Sequence, residues 1–485
     1  MKSNIPVLVG IAQLEQRIDD PANAQEPIEM MIDAVRMAAE DAGNLDLLKA
    51  SSVRVIRGIW PYQNPAKAIA EAIGNPTAET ALTPYGGNFV QTTLNRSALD
   101  IQAGKHEIVI ITGAECGNTQ AKAAKAKYDL SWQALPGTPD LMMGEELEMR
   151  HDAEKAIHLG RPIQVYPIFE TALRHHLGLS VEQHLAHISR LWAGFSSVAA
   201  DNPHAWIRDA KTAEEIRTSS AINRPISFPY PKFLNSNNNV DQGAALILCS
   251  AAKATALGIA RDKWIYPWAG TDAHDHYFVS NRDNLYSSPA IRLAGRRALE
   301  LAGVEVQDLD MVDVYSCFPV AVQVAARELG LDTSKPLTVT GGLTWAGGPL
   351  NNYVMHAIAR MAELLRQQPG QRGLITANGG YLTKHAFGVY SSEPPATPFQ
   401  HDDLQPQVDA LFKRDVAASH DGQASIEGYA VMYGAEGPQQ AFMACLLEDG
   451  RRVWATNDEP TVLEAMIKEE FCGREISIAG NVANI

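Results

Sequence analysis

The sequence predicts a layered α/β protein that contains a duplicated unit, and three observations support this prediction. Residues 83–114 run from a glycine-rich turn through a helix-like stretch into an apolar strand. Residues 307–377 repeat this order with a second pair of helix-like stretches before the final strand. Both final strands are almost entirely apolar, as expected of strands that helices cover on both faces. The halves therefore resemble a duplicated βαβ unit.

The repeated units divide the chain into three predicted regions. Residues 1–270 form an N-terminal half that opens on a buried strand and carries a helical insertion at about 116–235. Residues 271–395 form the second half. Proline and acidic residues concentrate at 394–406, which is typical of a linker, so residues 396–485 are expected to be a linker and an additional domain.

The C-terminal region alternates apolar and polar residues with period two and has a turn at Asp449-Gly450. This pattern predicts a small β-rich domain, either a barrel or a sandwich, with an OB-like form among the possibilities. OB folds often bind nucleic acid, but residues 401–485 hold 6 Lys+Arg against 15 Asp+Glu. A structural or docking role is the better interpretation.

The composition excludes several classes of function. A formal net charge of −15 argues against general attraction to nucleic acid or to an anionic membrane. No stretch approaches the roughly 18 uninterrupted apolar residues of a membrane span. The five cysteines are scattered, and His151 and His158 lack zinc-binding spacing, so neither disulfides nor a metal site are expected. We expect a cytoplasmic protein.

One motif carries the first resemblance to a known family. Ile101-Gln-Ala-Gly104 is followed by a strand and then by Gly113-Ala-Glu115, and this run resembles the one that follows the catalytic cysteine in the thiolase superfamily. Counting back places Gly87, between Gly86 and Asn88, at the cysteine position. A thiolate at a helix N-terminus is activated by the helix dipole, and glycine cannot replace it. The backbone N–H groups of Gly86, Gly87 and Asn88 could still bind a thioester oxygen, a carboxylate or a phosphate.

A second motif, Tyr315-Ser-Cys317-Phe-Pro319, resembles the His-Asp-Cys-Phe loop of sterol-carrier-protein-type thiolases. The resemblance implies that Cys317 moves a proton at the substrate α-carbon. Tyr315 stands where the family has an oxyanion-stabilising histidine. A tyrosine hydroxyl can donate a hydrogen bond to an oxyanion, or it can simply be satisfied within the core, and the sequence leaves both interpretations open.

Two further loops complete the resemblance. In the loop 341–350, Gly348 follows Gly347 and stands where the family has the histidine that activates the nucleophilic cysteine. The loop 376–385 lacks the usual cysteine, but Asn378 and Gly379 are candidates for the pocket floor. His385 is a candidate acid or base, with a loop-edge structural role as the alternative. His356 is more typical of a core-facing helix residue.

The resemblance, over roughly residues 1–395, implies a thiolase-type α/β/α/β/α core, and the extra C-terminal domain indicates the type 1 thiolase-like proteins. It implies a coenzyme A ester as ligand and no other cofactor. Three functions follow: an acyl-CoA handler that cleaves or forms carbon–carbon bonds without an acyl-enzyme, a non-catalytic acyl-CoA-binding scaffold, or a true acetyl-CoA acetyltransferase using Cys116 or Cys317. The family also implies a homodimer through the core, unless the added domain leaves a monomer.

Overall fold

The computed structural model describes residues 4–485 and confirms the layered α/β core. The first half supplies a six-stranded sheet in the order β1-β8-β4-β2-β3-β5. Its strands and helices, in chain order, are β1 (Pro6–Glu15), α1 (Pro27–Asp41), β2 (Ser52–Val55), α2 (Pro65–Ala72), β3 (Glu79–Leu82), α3 (Phe89–Gln102), β4 (Ile108–Cys116), α4 (Gly117–Ala126), β5 (Leu141–Met142), α5 (Asp152–Ala156), α6 (Pro162–His176), α7 (Val181–Asp201), α8 (Ala213–Arg217), β6 (Pro225–Phe228), β7 (Tyr230–Pro231), β8 (Asp241–Ser250) and α9 (Ala251–Ala256).

The second half supplies a five-stranded sheet in the order β10-β11-β12-β9-β13. Its elements are β9 (Tyr266–His274), α10 (Pro289–Ala302), β10 (Met311–Asp313), α11 (Pro319–Leu329), α12 (Gly342–Trp345), α13 (Tyr353–Gln367), β11 (Arg372–Gly379), β12 (Lys384–Ser391), β13 (Gln400–Asp403) and α14 (Gln405–Asp409).

Strand pairing confirms the duplication that the sequence predicts. In the first half β2 and β4 are parallel, β4 is antiparallel to β8, and β8 is antiparallel to β1. In the second half β10 and β11 are parallel, β11 is antiparallel to β12, and β12 is antiparallel to β9. The two halves therefore share one strand order and one set of directions.

The helices complete five layers. Helix α3 contacts strands of both sheets and α13 contacts β8 and β11, so these two helices fill the space between the sheets. Helix α1 covers the outer face of the first sheet and α10 covers the outer face of the second. Because α3 begins immediately after the Gly86-Gly87 turn, that turn lies between the two halves.

The C-terminal region forms a closed five-stranded barrel. Its elements are β14 (His420–Gly434), β15 (Gly437–Leu446), β16 (Arg452–Asn457), α15 (Pro460–Met466), β17 (Glu475–Gly480) and β18 (Val482–Asn484). Strand β14 pairs with both β15 and β17, and the ring closes through β16 and β18, which pair in parallel. This is the Greek-key order of an OB-like barrel, with a helix between its third and fourth strands.

Two segments form sheet pairings that the sequence did not predict. Strand β13, at 400–403, falls within the predicted linker but pairs in parallel with β9 at the edge of the second core sheet. Acidic and proline-flanked segments are tolerated at sheet edges, so composition alone did not distinguish this strand from a linker. Strand β6, in the insertion, pairs with β14 of the barrel and joins the insertion to the C-terminal domain.

No helix within residues 4–485 is long and apolar enough to cross a bilayer.

Candidate functional site

The loops singled out in the sequence meet at one cavity of about 700 Å³ between the two halves. Gly86 and Gly87 come from the turn before α3, Tyr315 and Cys317 from the loop before α11, and Asn378 and Gly379 from the end of β11. Helix α6 of the insertion closes one side with Tyr166. Of the residues predicted to bind substrate, Asn88, Gly347 and Gly348 lie behind the cavity wall and do not line it.

Residue 87 has no room for a side chain. A β-carbon on Gly87 would lie 2.5 Å from the backbone oxygen of Asn378 and 2.6 Å from the Tyr315 hydroxyl oxygen. Real β-carbons essentially never approach other heavy atoms this closely. The Tyr315 side chain therefore occupies the space into which a nucleophile at position 87 would project.

Position 348, where the resemblance places an activating histidine, is crowded in the same way. A β-carbon on Gly348 would lie 2.3 Å from Ser236 Oγ and 3.0 Å from Asn238 Oδ1. Ser236 donates a hydrogen bond to Asn238 over 2.9 Å, and both side chains line the cavity. Neighbouring Gly347, with a φ of +112°, faces Gln242, whose Oε1 would lie 2.1 Å from an added β-carbon. Close contacts from the segment before β8 crowd Gly348, and a close contact from Gln242, within β8, crowds Gly347.

Cys317 lines the cavity as a neutral thiol. Burial raises its pKa to about 12, although hydrogen bonding with Tyr166, Asn378 and nearby backbone groups opposes this rise. The Asn378 side-chain amide donates to the Cys317 sulfur over 3.7 Å. At neutral pH a thiol of this kind is protonated, so it can donate a proton or a weak hydrogen bond but is a poor nucleophile.

Tyr315 is the second neutral donor at the cavity. Burial raises the pKa of its phenol far above the usual value, and the nearby Cys317 adds to the effect. Its backbone N–H donates to Thr376 Oγ1 over 2.9 Å, and its ring packs edge-on against Tyr353. Within residues 4–485 the hydroxyl itself has no protein hydrogen-bond partner, so it is available to a bound ligand.

Tyr166 is a cavity residue that the sequence analysis missed. Its hydroxyl accepts from Asn378 Nδ2 over 3.0 Å and from the Leu382 N–H over 2.9 Å, and it donates to the Gly380 carbonyl over 3.0 Å. Its ring stacks on Phe318 at 4.4 Å between centroids. Tyr166 therefore holds the loop after β11 against the insertion and orients the Asn378 amide. The carbonyl oxygen of that amide has no partner among the described residues.

Lys384 and His385 are adjacent on β12 and point to opposite faces of the strand. Lys384 lines the cavity, and its Nζ donates to the Tyr85 carbonyl over 2.5 Å. His385 does not line the large cavity; its imidazole lies 3.5 Å from Asp275, against a small void behind Tyr315 and Asn378. This placement favours the structural interpretation of His385. It also makes Lys384 a candidate ligand-binding residue, although no sequence motif marks it.

Two other residues considered in the sequence lie away from the cavity. Cys116 is fully buried against Gln16 and Met30, and burial raises the pKa of its thiol far above the usual range. His356 contacts Gln13 over 3.1 Å, and burial lowers the pKa of its imidazole to about 3. His356 is thus a neutral core residue. In residues 4–485 no three His, Cys, Asp or Glu side chains come together as a metal site.

Two family models match the chain. One is described as "Thiolase C-terminal domain-like" and covers residues 271–392; the other is "Thiolase-like protein type 1 additional C-terminal domain" and covers residues 403–481. The crystal structure of a monomeric SCP2-thiolase-like protein type 1 from Mycobacterium smegmatis is similar over 100% of this chain and 99% of that chain. Its sequence identity is 30% and its TM-score is 0.85.

Two more distant relatives are similar to part of this chain. Acetyl-CoA acetyltransferase of Methanocaldococcus jannaschii is 24% identical over 310 residues, which cover 62% of this chain and 70% of that protein. The structure of an Ltp2-ChsH2(DUF35) aldolase has a TM-score of 0.61 at 18% identity, covering 81% of this chain and 98% of that chain, and shares the fold.

These comparisons and the duplicated five-layered core define a protein of the thiolase fold. Because the likeness to the Mycobacterium smegmatis protein extends over the whole chain, including the C-terminal barrel, the chain belongs to the thiolase-like protein type 1 family.

Proposed function

We propose that this protein binds an acyl-CoA thioester in the cavity between its two halves and does not form an acyl-enzyme. The observation that carries the proposal is the contact at Gly87, where the Tyr315 hydroxyl and the Asn378 carbonyl fill the space of a nucleophilic side chain. A cysteine acyl-enzyme needs a thiolate within reach of the thioester carbon. Cys317, which lines the cavity, has a pKa that burial raises to about 12.

The neutral donors of the cavity suit a thioester carbonyl. The Tyr315 hydroxyl has no protein partner among the described residues, and the Cys317 thiol is protonated at neutral pH. A hydrogen bond to a carbonyl oxygen withdraws electron density and stabilises an enolate or tetrahedral oxyanion that forms there. We assign Tyr315 as the principal donor and Cys317 as a proton donor to the α-carbon.

If the protein is an enzyme, the reaction that we propose is cleavage of a carbon–carbon bond in a β-hydroxyacyl thioester. In such a retro-aldol step, a base removes the β-hydroxyl proton, the Cα–Cβ bond breaks to release an aldehyde, and the enolate takes a proton at Cα. Tyr315 would stabilise the enolate oxygen and Cys317 would supply the α-proton.

Calorimetric titration with CoA, acetyl-CoA and butyryl-CoA tests the binding proposal. We expect the esters to bind to the wild type, and intact-mass spectrometry to find no acylated protein afterwards. Absence of binding by every ester, or a mass increase of one acyl group on Cys317, would overturn it.

A panel of β-hydroxyacyl-CoAs separates an enzyme from a scaffold. An enzyme releases an aldehyde and a shortened thioester, and Tyr315→Phe and Cys317→Ala reduce this turnover while the esters still bind. A scaffold binds the same esters without turnover in any form. The third possibility, a true acetyl-CoA acetyltransferase, requires an acylated cysteine, and the neutral Cys317 argues against it.

A further inference from the structure

Lys384 places a buried charge at the cavity wall, beside the Gly86-Gly87 turn. The residue is 7% exposed, and no carboxylate lies within 4.0 Å of its ammonium among residues 4–485. A buried ammonium without a counter-ion is costly, which is why buried lysines in proteins are normally paired. The cation therefore has unused capacity for an anion.

The contacts of the Lys384 ammonium leave two of its donors free to bind a ligand in the cavity. Its Nζ donates to the Tyr85 carbonyl over 2.5 Å and lies 5.3 Å from the centre of the Phe89 ring. A lysine ammonium has three donors, and the Tyr85 carbonyl uses one. A β-carbon on Gly86 would lie 2.8 Å from Nζ, so the ammonium is beside the Gly86-Gly87 turn.

The other charged residues at the cavity differ from Lys384 in exposure. Glu146, Glu148 and Arg161 are exposed, and Arg150 is half-buried beside Glu148 at 3.8 Å. Glu146 accepts a hydrogen bond from the Tyr85 N–H over 2.9 Å, and its charge favours the protonated lysine without forming an ion pair. Strongly hydrated phosphates suit the more exposed cations, Arg161 and Arg150, which leaves the buried lysine for the acyl end of a ligand.

We propose that Lys384 forms an anion subsite for the acyl group, so that the preferred ligand is the CoA thioester of a dicarboxylic acid with its free carboxylate on the Lys384 ammonium. This inference rests on the proposed function and names its substrate class. A carboxylate in this position would convert an unpaired buried cation into a charge-assisted hydrogen bond, which is stronger than one between neutral groups. An uncharged acyl chain would leave the cation unpaired.

Succinyl-CoA and butyryl-CoA test this subsite because their acyl chains have the same carbon number and differ in the terminal carboxylate. In calorimetric titrations of the full chain, we expect succinyl-CoA to bind about 10-fold more tightly or better, as one charge-assisted contact allows. Lys384→Met should abolish the preference, and Lys384→Arg should retain part of it. Arg161→Met, at the exposed mouth, is the matched control and should leave the ratio unchanged.

A second measurement uses the wild type alone, in case Lys384→Met fails to fold. Reductive methylation followed by peptide mass spectrometry reports how accessible each lysine amine is. We expect succinyl-CoA to protect Lys384 at concentrations where butyryl-CoA, at equal occupancy, protects it several-fold less.

The outcomes distinguish this inference from the function on which it rests. Equal affinity and equal protection by the two esters would overturn the anion subsite and leave thioester binding intact. Equal weakening of both esters by Lys384→Met would also overturn it, because the lysine would then contact the CoA moiety. Failure of both esters to bind would overturn the proposed function and the subsite with it.

Discussion

The hydroxyl oxygen of Tyr315 lies 2.6 Å from the position that a β-carbon on residue 87 would occupy. Two residues from different halves of the core therefore share one site, and the presence of one side chain excludes the other. A similar relationship joins Gly348 to Ser236. Neighbouring side chains thus crowd both positions at which the family resemblance places a nucleophile and its activating histidine.

Introducing the missing cysteine tests this exclusion. We expect Gly87→Cys to lower the free energy of unfolding by about 1–3 kcal/mol, because overpacking a buried site forces its neighbours to move. Combining it with Tyr315→Phe, which removes the hydroxyl, should recover part of that loss. Gly194→Cys is a matched control, since Gly194 lies in α7 with no atom within 4 Å of an added β-carbon. Chemical denaturation measures all four proteins, and equal stability of Gly87→Cys and the wild type would contradict the prediction.

Cys317 should react slowly with alkylating reagents despite its place at the cavity. With a pKa of about 12, roughly one thiol in ten thousand is ionised at pH 8, and the thiolate is the reactive form. Time-resolved iodoacetamide labelling with peptide mass spectrometry should show modification far slower than that of an unfolded control. Labelling at the rate of a free cysteine would show that the thiol is activated and would weaken the argument against an acyl-enzyme.

Glu115 should make stability fall as pH rises through the neutral range. Burial raises the pKa of this carboxyl to about 8, against a hydrogen bond from the Ile59 N–H that opposes the rise. Because the folded pKa lies above the unfolded value, the folded chain holds more protons, and the associated stability is lost from about pH 5 to 8. The loss over this range is about 3–4 kcal/mol.

Glu115→Gln removes this titration and keeps an acceptor for Ile59. Thermal unfolding of the variant should depend less on pH between 5 and 8, and its midpoint should exceed that of the wild type at pH 8. Parallel curves for the two proteins across this range would contradict the assignment.

Arg452 should couple the C-terminal barrel to the core. Its fully buried guanidinium donates to the carbonyls of Val279, Ser280 and Arg282 at 2.7–3.2 Å and to Glu427 at 2.8 Å. Arg452→Met leaves a partly buried carboxylate without its partner and should cost about 3–5 kcal/mol. Exposed Arg451→Met is the control and should change stability by less than about 0.5 kcal/mol. Calorimetric unfolding should give one transition in the wild type; equal stability of the two variants would refute the coupling.

The chain should be a monomer in solution. Strand β5 pairs in parallel with β3 and covers an edge that could otherwise extend the first sheet into a second copy. Asp140 holds β5 in place by accepting from the Thr80 N–H and hydroxyl over 2.9 and 2.8 Å. Light scattering across a concentration series should return 52.7 kDa throughout, and a mass twice as large would contradict this prediction.

The sequence predicted the core and the loops of the site because their signals are local. Gly87, Tyr315, Cys317 and Asn378 stand in motifs next to strongly patterned strands, and the structure brings all four to one cavity. The sequence named His385 as a candidate and gave no signal for Lys384, the adjacent residue that lines the cavity, because successive residues of a strand face opposite sides.

Other cavity residues had no readable signal in the sequence. Tyr166 and Ser236 come from the insertion and the segment that follows it, where no motif marks them, and tertiary packing alone brings them to the site. Strand β13 was missed because an acidic edge strand and a linker have similar compositions.

A crystal structure of the protein with butyryl-CoA would test the central claim most directly. The account predicts an intact thioester in the cavity, with its carbonyl oxygen within hydrogen-bonding distance of the Tyr315 hydroxyl and no covalent bond to Cys317. Density for an acylated cysteine, or an intact ligand bound elsewhere with this cavity empty, would contradict it.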